Sequence, residues 1–177
     1  MSLLHDALAF AAECHKDEVR DGRDSLPYLH HPLEVAHILR WEAGVTDTEV
    51  LSAALLHDTI EEGGAELEEI QVTFGLRVAE LVGELTRSEP SPEETAGRTK
   101  DEVYQLRTEM MLKEIRLMSP TAKLIKLADR LSNLREAVLV RTVRKLNRYK
   151  QQTRLILLEI PRDTSPQLWD KLAALCD

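Results

Sequence analysis

Four side chains that can bind a metal ion or move a proton lie within six residues of the sequence: His57, Asp58, Glu61 and Glu62. Imidazole nitrogen together with carboxylate oxygen suits a divalent ion such as Mn²⁺, and a further carboxylate can orient a water molecule for hydrolysis. A His-Asp pair alone carries little weight, because the chain contains a second one at His5-Asp6. The segment is equally compatible with the solvated end of a helix, so both interpretations stay open here.

A metal site of this kind needs ligands from other parts of the chain, and two regions offer them. One is His30-His31-Pro32, where an imidazole could face the interior but where a histidine is also typical of a helix N-cap or a surface position. The other is Asp129, which shares a helical face with Asn133 and is flanked by leucines. A buried carboxylate needs a partner, and the residues alone slightly favour an ion pair with Lys126 or Arg130 over a metal ion.

The elements that carry these residues are predicted to be helices, because apolar residues recur at intervals of three and four and do not alternate. We expect an all-α bundle of about eight helices. Proline after a polar residue marks helix starts at His31-Pro32, Ser119-Pro120 and Ser165-Pro166, which makes His31 an N-cap. The polar segment 87–99 is predicted to be a mobile connection. The predicted helices cover residues 3 to about 20, 46–62, 66–74, 76–85, 103–118 and 141–160, and further helices begin at residues 32, 120 and 166.

Composition restricts the class of protein. The chain has 177 residues, 43% of them apolar, which predicts one folded domain over residues 1–177. Its 23 Lys+Arg against 31 Asp+Glu give a formal net charge of −8, which argues against general nucleic-acid binding. A phosphate ligand would therefore need a local site of cations. With no transmembrane segment, no signal peptide and only two cysteines, we expect a cytoplasmic protein that is not attached to a membrane.

Four motifs follow one another between about residues 3 and 135. They are Tyr28-x-x-His31-Pro32-x-x-Val35-Ala36, Ala53-Ala54-Leu55-Leu56-His57-Asp58-Thr59-Ile60-Glu61, Phe74-Gly75, and Lys123-Leu124-Ile125-Lys126-Leu127-Ala128-Asp129-Arg130-Leu131-Ser132-Asn133-Leu134-Arg135. In this order the motifs resemble the HD-type hydrolase domain of RelA/SpoT proteins. The chain is especially similar to the stand-alone small alarmone hydrolases of that family.

The resemblance implies an all-α fold that holds one Mn²⁺ ion, and it favours His31 over His30. The implied metal ligands are His31, His57, Asp58 and Asp129. It further implies that Glu61 and Glu62 orient a water molecule and carry protons. The implied substrate is a small nucleotide, guanosine tetraphosphate (ppGpp) or pppGpp, which is cleaved at the 3′ position to GDP or GTP plus pyrophosphate.

The residues that the resemblance assigns to the substrate are Arg20, Asn133 and Tyr149, with Arg23 and Lys126 as further cations. Two positions depart from the family pattern. Glu62 stands where the family usually has Asp, and Asp21 stands where it usually has Lys. Two alternatives therefore stay open: a phosphohydrolase for another nucleotide, such as an adenosine alarmone or NADPH, and a catalytically weak nucleotide-binding sensor. The sequence predicts no oligomeric state.

Overall fold

The computed structural model describes residues 2–20 and 26–177. Within these ranges the chain is helical, with no strand beyond a single bridge between Val19 and Pro27, which confirms the all-α prediction. The helices are α1 (Leu3–Cys14), α2 (His30–His37), α3 (Thr48–Leu56), α4 (Leu67–Phe74), α5 (Leu76–Leu85), α6 (Pro92–Thr95), α7 (Lys100–Leu117), α8 (Pro120–Val140), α9 (Val143–Glu159) and α10 (Pro166–Cys176). A π-helical segment, Ile38–Glu42, extends α2, and a 3₁₀ turn, Arg162–Thr164, precedes α10.

Side-chain caps begin several of these helices as the sequence predicted. The hydroxyl oxygens of Ser119 and Ser165 accept hydrogen bonds from backbone N–H groups of the first turns of α8 and α10, at 3.2 and 3.4 Å, and proline follows each serine. Asp47 caps α3 by accepting a hydrogen bond of 3.0 Å from the N–H of Glu49. These caps satisfy donors that have no partner within the helix, so local sequence is sufficient to set the boundary.

The predicted ends of α1 and α2 differ from the structure. α1 stops at Cys14 and does not reach residue 20. α2 begins at His30, and Leu29 before it already has helical backbone angles, so His31 lies inside the first turn and is not the N-cap. His31 is 1% exposed. No local sequence signal indicates that His31 is buried, and the prediction of an N-cap at His31 was therefore wrong.

α3 ends at Leu56, although the sequence predicted that it continues to residue 62. The Thr59 hydroxyl donates a hydrogen bond of 2.7 Å to the Leu56 carbonyl, and residues 57–63 continue as turns. Gly63 lies so close to α1 that a Cβ atom there would be 2.6 Å from the Cβ of Cys14. A non-glycine residue would force one of these elements to move. The turn 57–63 is therefore packed against α1 immediately after α3.

The segment 87–99, predicted to be a mobile connection, contains the short helix α6. Ser91 and Glu94 form a capping box at its start, with hydrogen bonds of 3.2 and 2.8 Å between side chains and backbone. A second capping box, between Thr99 and Glu102, begins α7 three residues earlier than predicted. The segment thus has its own hydrogen bonding because both ends carry the residues that cap helices.

α8 lies against α2, α5, α9 and α10. Its fully buried side chains include Ile125, Leu127, Leu131 and Leu134, and each such burial stabilises the fold by about 2 kcal/mol. Because apolar residues occur on several sides of α8, the polar residues between them are also carried into the interior. α1 packs on α3, α3 packs on α2 and α5, and α7 packs on α9. No helix in the described ranges has both the length and the apolar composition needed to cross a bilayer.

Glu42, at the end of the π-helical segment, connects α8 and α10. Its carboxylate accepts hydrogen bonds from Arg135 at 2.7 and 2.9 Å and from Lys171 at 2.6 Å. The hydrogen bonds from Arg135 and Lys171 lower the pKa of Glu42 from 4.5 to about 2, because they outweigh burial, which alone would raise it. This carboxylate therefore stabilises the folded state while it is ionised.

We expect Glu42→Gln to lower the free energy of unfolding at pH 7 by about 1.5 kcal/mol, because charge-assisted hydrogen bonds are lost. A carboxylate with a lowered pKa stabilises the folded state at pH values above its pKa in the unfolded chain. This stabilisation is lost as the pH falls towards its pKa in the folded protein. The difference between wild type and variant should therefore shrink by about 1 kcal/mol between pH 7 and pH 3.5. Urea unfolding at several pH values measures this. Glu13→Gln, at an exposed pair with Lys16, is the control, and a pH-independent difference for Glu42 would contradict the prediction.

Candidate metal centre and its cavity

His31 presents one ring nitrogen to the interior with a lone pair. Its Nδ1 lies 3.0 Å from the hydroxyl oxygen of Ser132, and that hydroxyl donates a hydrogen bond of 2.8 Å to Glu34. Because the only hydroxyl proton of Ser132 goes to Glu34, Nδ1 of His31 must be the donor to Ser132. The proton is then on Nδ1, and Nε2 is free to bind a cation.

His57 directs its Nε2 to the same place by a different route. It follows directly after α3, and its Nδ1 donates a hydrogen bond of 2.8 Å to the carbonyl of Ala54, one of the last carbonyls of that helix. Nε2 of His57 is buried and has no hydrogen-bond partner. A buried polar atom without a partner is costly unless another group occupies the position. Both histidines thus offer Nε2 to the interior.

Two carboxylates converge on these nitrogens. Nε2 of His31 lies 3.5 Å from Asp58 Oδ2 and 3.3 Å from Asp129 Oδ1. Nε2 of His57 lies 3.2 Å from Asp58 Oδ1 and 3.8 Å from Asp129 Oδ1. Burial favours a neutral imidazole, but the two carboxylates outweigh it and raise the pKa of His57 to about 9. The site therefore attracts positive charge, and two imidazole nitrogens with two carboxylates fit a divalent ion of the Mn²⁺ or Zn²⁺ type.

Asp129 uses its two oxygens for different partners. Oδ2 accepts from the ammonium of Lys126 at 2.9 Å, whereas Oδ1 faces the histidines and accepts from the amide of Asn133 at 2.5 Å. Burial would raise the pKa of Asp129, but Lys126 and the histidines hold it well below its ordinary value. The ion pair and the metal interpretation are therefore compatible. Of the two cations considered from sequence, Lys126 is the partner.

Arg130, the other candidate partner of Asp129, is directed towards α9. Its guanidinium donates to the side chains of Thr153 at 2.8 Å and Gln152 at 2.9 Å and to the carbonyl of Tyr149 at 2.8 Å. The guanidinium carbon also lies 3.5 Å from the centre of the Tyr149 ring. Arg130 thus fixes Tyr149, which the sequence assigned to substrate binding, at the wall of the cavity.

Tyr28 is a site residue to which the sequence analysis gave no role, although it begins the first motif. Its hydroxyl donates a hydrogen bond of 2.7 Å to Asp58 Oδ2. Burial and the charge of Asp58 both raise the pKa of Tyr28, so the phenol stays protonated and keeps donating. The ring stacks on His15, with 4.7 Å between the ring centres. Tyr28 therefore orients one of the two carboxylates from a rigid position.

Glu61 and Glu62 have unequal surroundings, although the sequence treated them alike. Glu61 accepts hydrogen bonds from Arg87 at its backbone N–H (2.6 Å), Nε (2.8 Å) and Nη2 (2.5 Å). Glu62 is the more exposed of the two. Partial desolvation of its carboxyl and the negative charge of Asp58 nevertheless raise its pKa. Both residues line the cavity that contains the metal-type cluster.

This first cavity has a volume of about 600 Å³ and includes most of the residues that the sequence assigned to the substrate. Arg20 lines it and donates a hydrogen bond of 3.0 Å to Asn133 Oδ1, and it also pairs with Glu136. Tyr149 and Lys126 also line it. Arg23 and Asp21 lie outside the described residues.

A second, basic cavity of about 480 Å³ adjoins the first and shares four lining residues with it: Tyr104, Arg107, Arg141 and Tyr149. No acidic residue lines it within the part of the chain that the structure describes. Its cations are Arg98, Lys100, Arg107, Arg141, Lys145 and Arg148. The net charge of −8 predicted that a phosphate ligand would need a local site of cations. The basic cavity meets that requirement.

Comparison with known proteins supports this geometry. The sequence profile of the HD domain matches residues 7–158. This chain belongs to the HD domain family. A Xenopus tropicalis protein named guanosine-3′,5′-bis(diphosphate) 3′-pyrophosphohydrolase MESH1 is 42% identical over 135 residues, which cover 76% of this chain and 69% of that protein. The human protein of the same name is 41% identical over 133 residues, 75% of this chain and 68% of that protein.

A solved structure gives the same result for the HD domain fold. It is that of a metazoan ortholog of SpoT, described as hydrolysing ppGpp, and it superimposes with a TM-score of 0.85 at 31% sequence identity. The match covers 99% of this chain and 94% of the other. The resemblance to the RelA/SpoT hydrolase domain is thereby confirmed, and an HD domain implies a divalent metal ion. In this chain, His31, His57 and Asp129 offer donor atoms that lie within 4.8 Å of one another.

We expect Tyr28→Phe to weaken Mn²⁺ binding about tenfold, because Asp58 loses the hydrogen bond that orients it. Titration calorimetry with Mn²⁺ on metal-free protein measures the affinity. Tyr104→Phe removes a hydroxyl that donates only to the carbonyl of Arg148, and it is the matched control. Equal Mn²⁺ affinity in wild type and Tyr28→Phe would show that Asp58 does not need this bond.

Proposed function

We propose that the protein is a Mn²⁺-dependent hydrolase that removes the 3′-diphosphate of ppGpp or pppGpp and releases GDP or GTP plus pyrophosphate. The observation that carries this proposal is that two cavities share four lining residues: one cavity contains the metal-type cluster and the other is lined by cations. A nucleotide with phosphate groups at both its 3′ and 5′ positions matches such a pair of sites. The activity for which the MESH1 relatives are named agrees with this substrate.

His31, His57, Asp58 and Asp129 would hold the metal ion. The orphaned Nε2 of His57 and the lone pair on Nε2 of His31 supply the nitrogen ligands, and the two aspartates supply charge. A bound divalent ion supplies a Lewis acid that polarises a phosphate oxygen and makes water more acidic. The proposal of Mn²⁺ among the divalent ions rests on the mixed nitrogen and oxygen donors.

The chain's own acids handle the protons of hydrolysis. Glu61 is held in place by Arg87, so it can orient the attacking water by accepting a hydrogen bond. Glu62, whose pKa is raised, can take up the proton that this water loses. Attack on phosphorus breaks its bond to the 3′ oxygen, which then takes a proton and leaves as the ribose hydroxyl. The usual family Asp is shorter than Glu62, but both carry the same acid group.

The opposite end of the nucleotide would lie in the basic cavity. Arg141 stands where the two cavities meet, with its guanidinium carbon 4.7 Å from the centre of the Tyr149 ring. Arg141, Lys100 and Lys145 form no ion pair within residues 2–20 and 26–177, so their charges are available to a 5′-diphosphate. Near the metal-type cluster, Arg20 and Asn133 are hydrogen-bonded to each other and offer polar contacts to the ribose and base.

The test is the release of pyrophosphate from ppGpp by purified protein with Mn²⁺, with Mg²⁺ in its place, and with EDTA. We expect turnover with Mn²⁺ that EDTA abolishes. Asp129→Ala should lose both bound Mn²⁺ and activity, whereas Asp170→Ala, at an exposed pair with Arg162, should keep both. No turnover despite one bound metal ion would overturn the proposal. Parallel assays with the adenine analogue and with NADPH decide between the substrates that the sequence left open.

We expect Arg141→Ala to raise KM for ppGpp about tenfold with little change in kcat, because a cation that binds the 5′-diphosphate is lost far from the reacting phosphorus. A guanosine carrying only the 3′-diphosphate should show almost no change in KM. Lys123→Ala, at a cation of α8 that lines neither cavity, is the control. An equal rise in KM for both substrates would place the 5′-diphosphate elsewhere.

A further inference from the structure

Arg87 immediately follows Thr86, the C-cap of α5, and its contacts with Glu61 are unusually complete. Its backbone N–H donates to Glu61 Oε1, and its Nε and Nη2 both donate to Oε2. One residue thus holds both carboxylate oxygens from two directions. Glu61 is on the turn 57–63, so this pair joins the turn that carries His57 and Asp58 to the end of α5.

The pair lies at the reaction site and is not an incidental surface contact. The Glu61 side chain is 12% exposed, and both residues line the first cavity with Asp58 and Asp129. A free glutamate on a turn samples many rotamers, and only a few direct its carboxylate into the cavity. A planar guanidinium that binds one carboxylate in a fixed orientation removes most of this freedom.

We propose that Arg87 is a positioning residue: it holds the Glu61 carboxylate in the orientation that the water molecule requires, and it acts through Glu61 without contacting substrate. This inference rests on the proposed hydrolase function. Two of the three guanidinium nitrogens, Nε and Nη2, are already used on Glu61. The neighbouring N–H groups are also occupied, since Thr86 donates to the Val82 carbonyl at 3.0 Å and Ser88 donates to Glu114 at 3.1 Å. The backbone on both sides of the contact is therefore fixed.

A double-mutant cycle on Arg87 and Glu61 tests the proposal with ppGpp as substrate. We expect Arg87→Ala to lower kcat about tenfold and to leave KM within about twofold. Glu61→Gln should lower kcat at least as much. The double variant should be no slower than Glu61→Gln alone, because Arg87 has no role once the carboxylate is lost. Arg87→Lys should be intermediate, since an ammonium keeps the charge but loses the paired bonds.

Arg116→Ala is the matched control. Arg116 holds Glu159 with the same pair of guanidinium bonds, at 2.8 and 2.6 Å, but between α7 and α9 and outside the first cavity. Its loss should leave kcat and KM unchanged. If the effects of Arg87→Ala and Glu61→Gln instead multiply in the double variant, or if Arg87→Ala raises KM about tenfold, Arg87 contacts the substrate and the proposal is wrong.

A measurement without turnover gives independent evidence. Hydrogen exchange of peptides covering residues 87–99 should accelerate in both Arg87→Ala and Glu61→Gln, and not in Arg116→Ala, with bound Mn²⁺ unchanged in all three. If the wild type does not release pyrophosphate from ppGpp, the proposed function fails and this role fails with it. If the wild type is active and both Arg87 variants match it in kcat, only the role of Arg87 is overturned.

Discussion

The structure depends on keeping two carboxylates and two imidazole nitrogens close together in a buried place. Asp58 and Asp129 repel each other there, and burying two anions is energetically unfavourable unless cations lie beside them. Lys126 neutralises one side of Asp129. Nδ1 of each histidine is committed to a hydrogen-bond partner away from the carboxylates, so each ring directs its Nε2 towards them. The remaining attraction for positive charge is what a divalent ion would satisfy.

The helices satisfy this constraint because each one contributes only a few residues to the metal-type cluster. α2 brings His31 in from its first turn, and the end of α3 provides a free carbonyl that fixes His57. α8 is buried on several sides and carries the remaining polar residues between its leucines. Ser132 on α8 completes the arrangement by linking His31 to Glu34. The metal-type cluster is thus held by side chains from three separate parts of the chain, each fixed by its own hydrogen bond.

Features that depend on neighbouring residues could be predicted from the sequence, and features that depend on distant ones could not. The caps at Ser119 and Ser165 are local, and those helix starts are confirmed. The prediction that His31 is an N-cap is wrong, because His31 is buried by tertiary packing and the neighbouring residues do not indicate this. The different surroundings of the two glutamates depend on Arg87, 26 residues away, which no spacing rule connects to Glu61. The motif order indicated the family, while the individual site roles remain predictions.

The basic cavity has a different structural origin from the metal-type cluster. Its cations come from α7, α9 and the residues beside them, whereas the cluster comes from α2, the turn after α3, and α8. α7 packs on α9, and these two helices meet the rest of the fold mainly through α8 and α10. The cations of the basic cavity can therefore be substituted without replacing any residue of the metal-type cluster. In evolution, one HD scaffold can thus vary its charge in this cavity by small steps while the cluster stays the same.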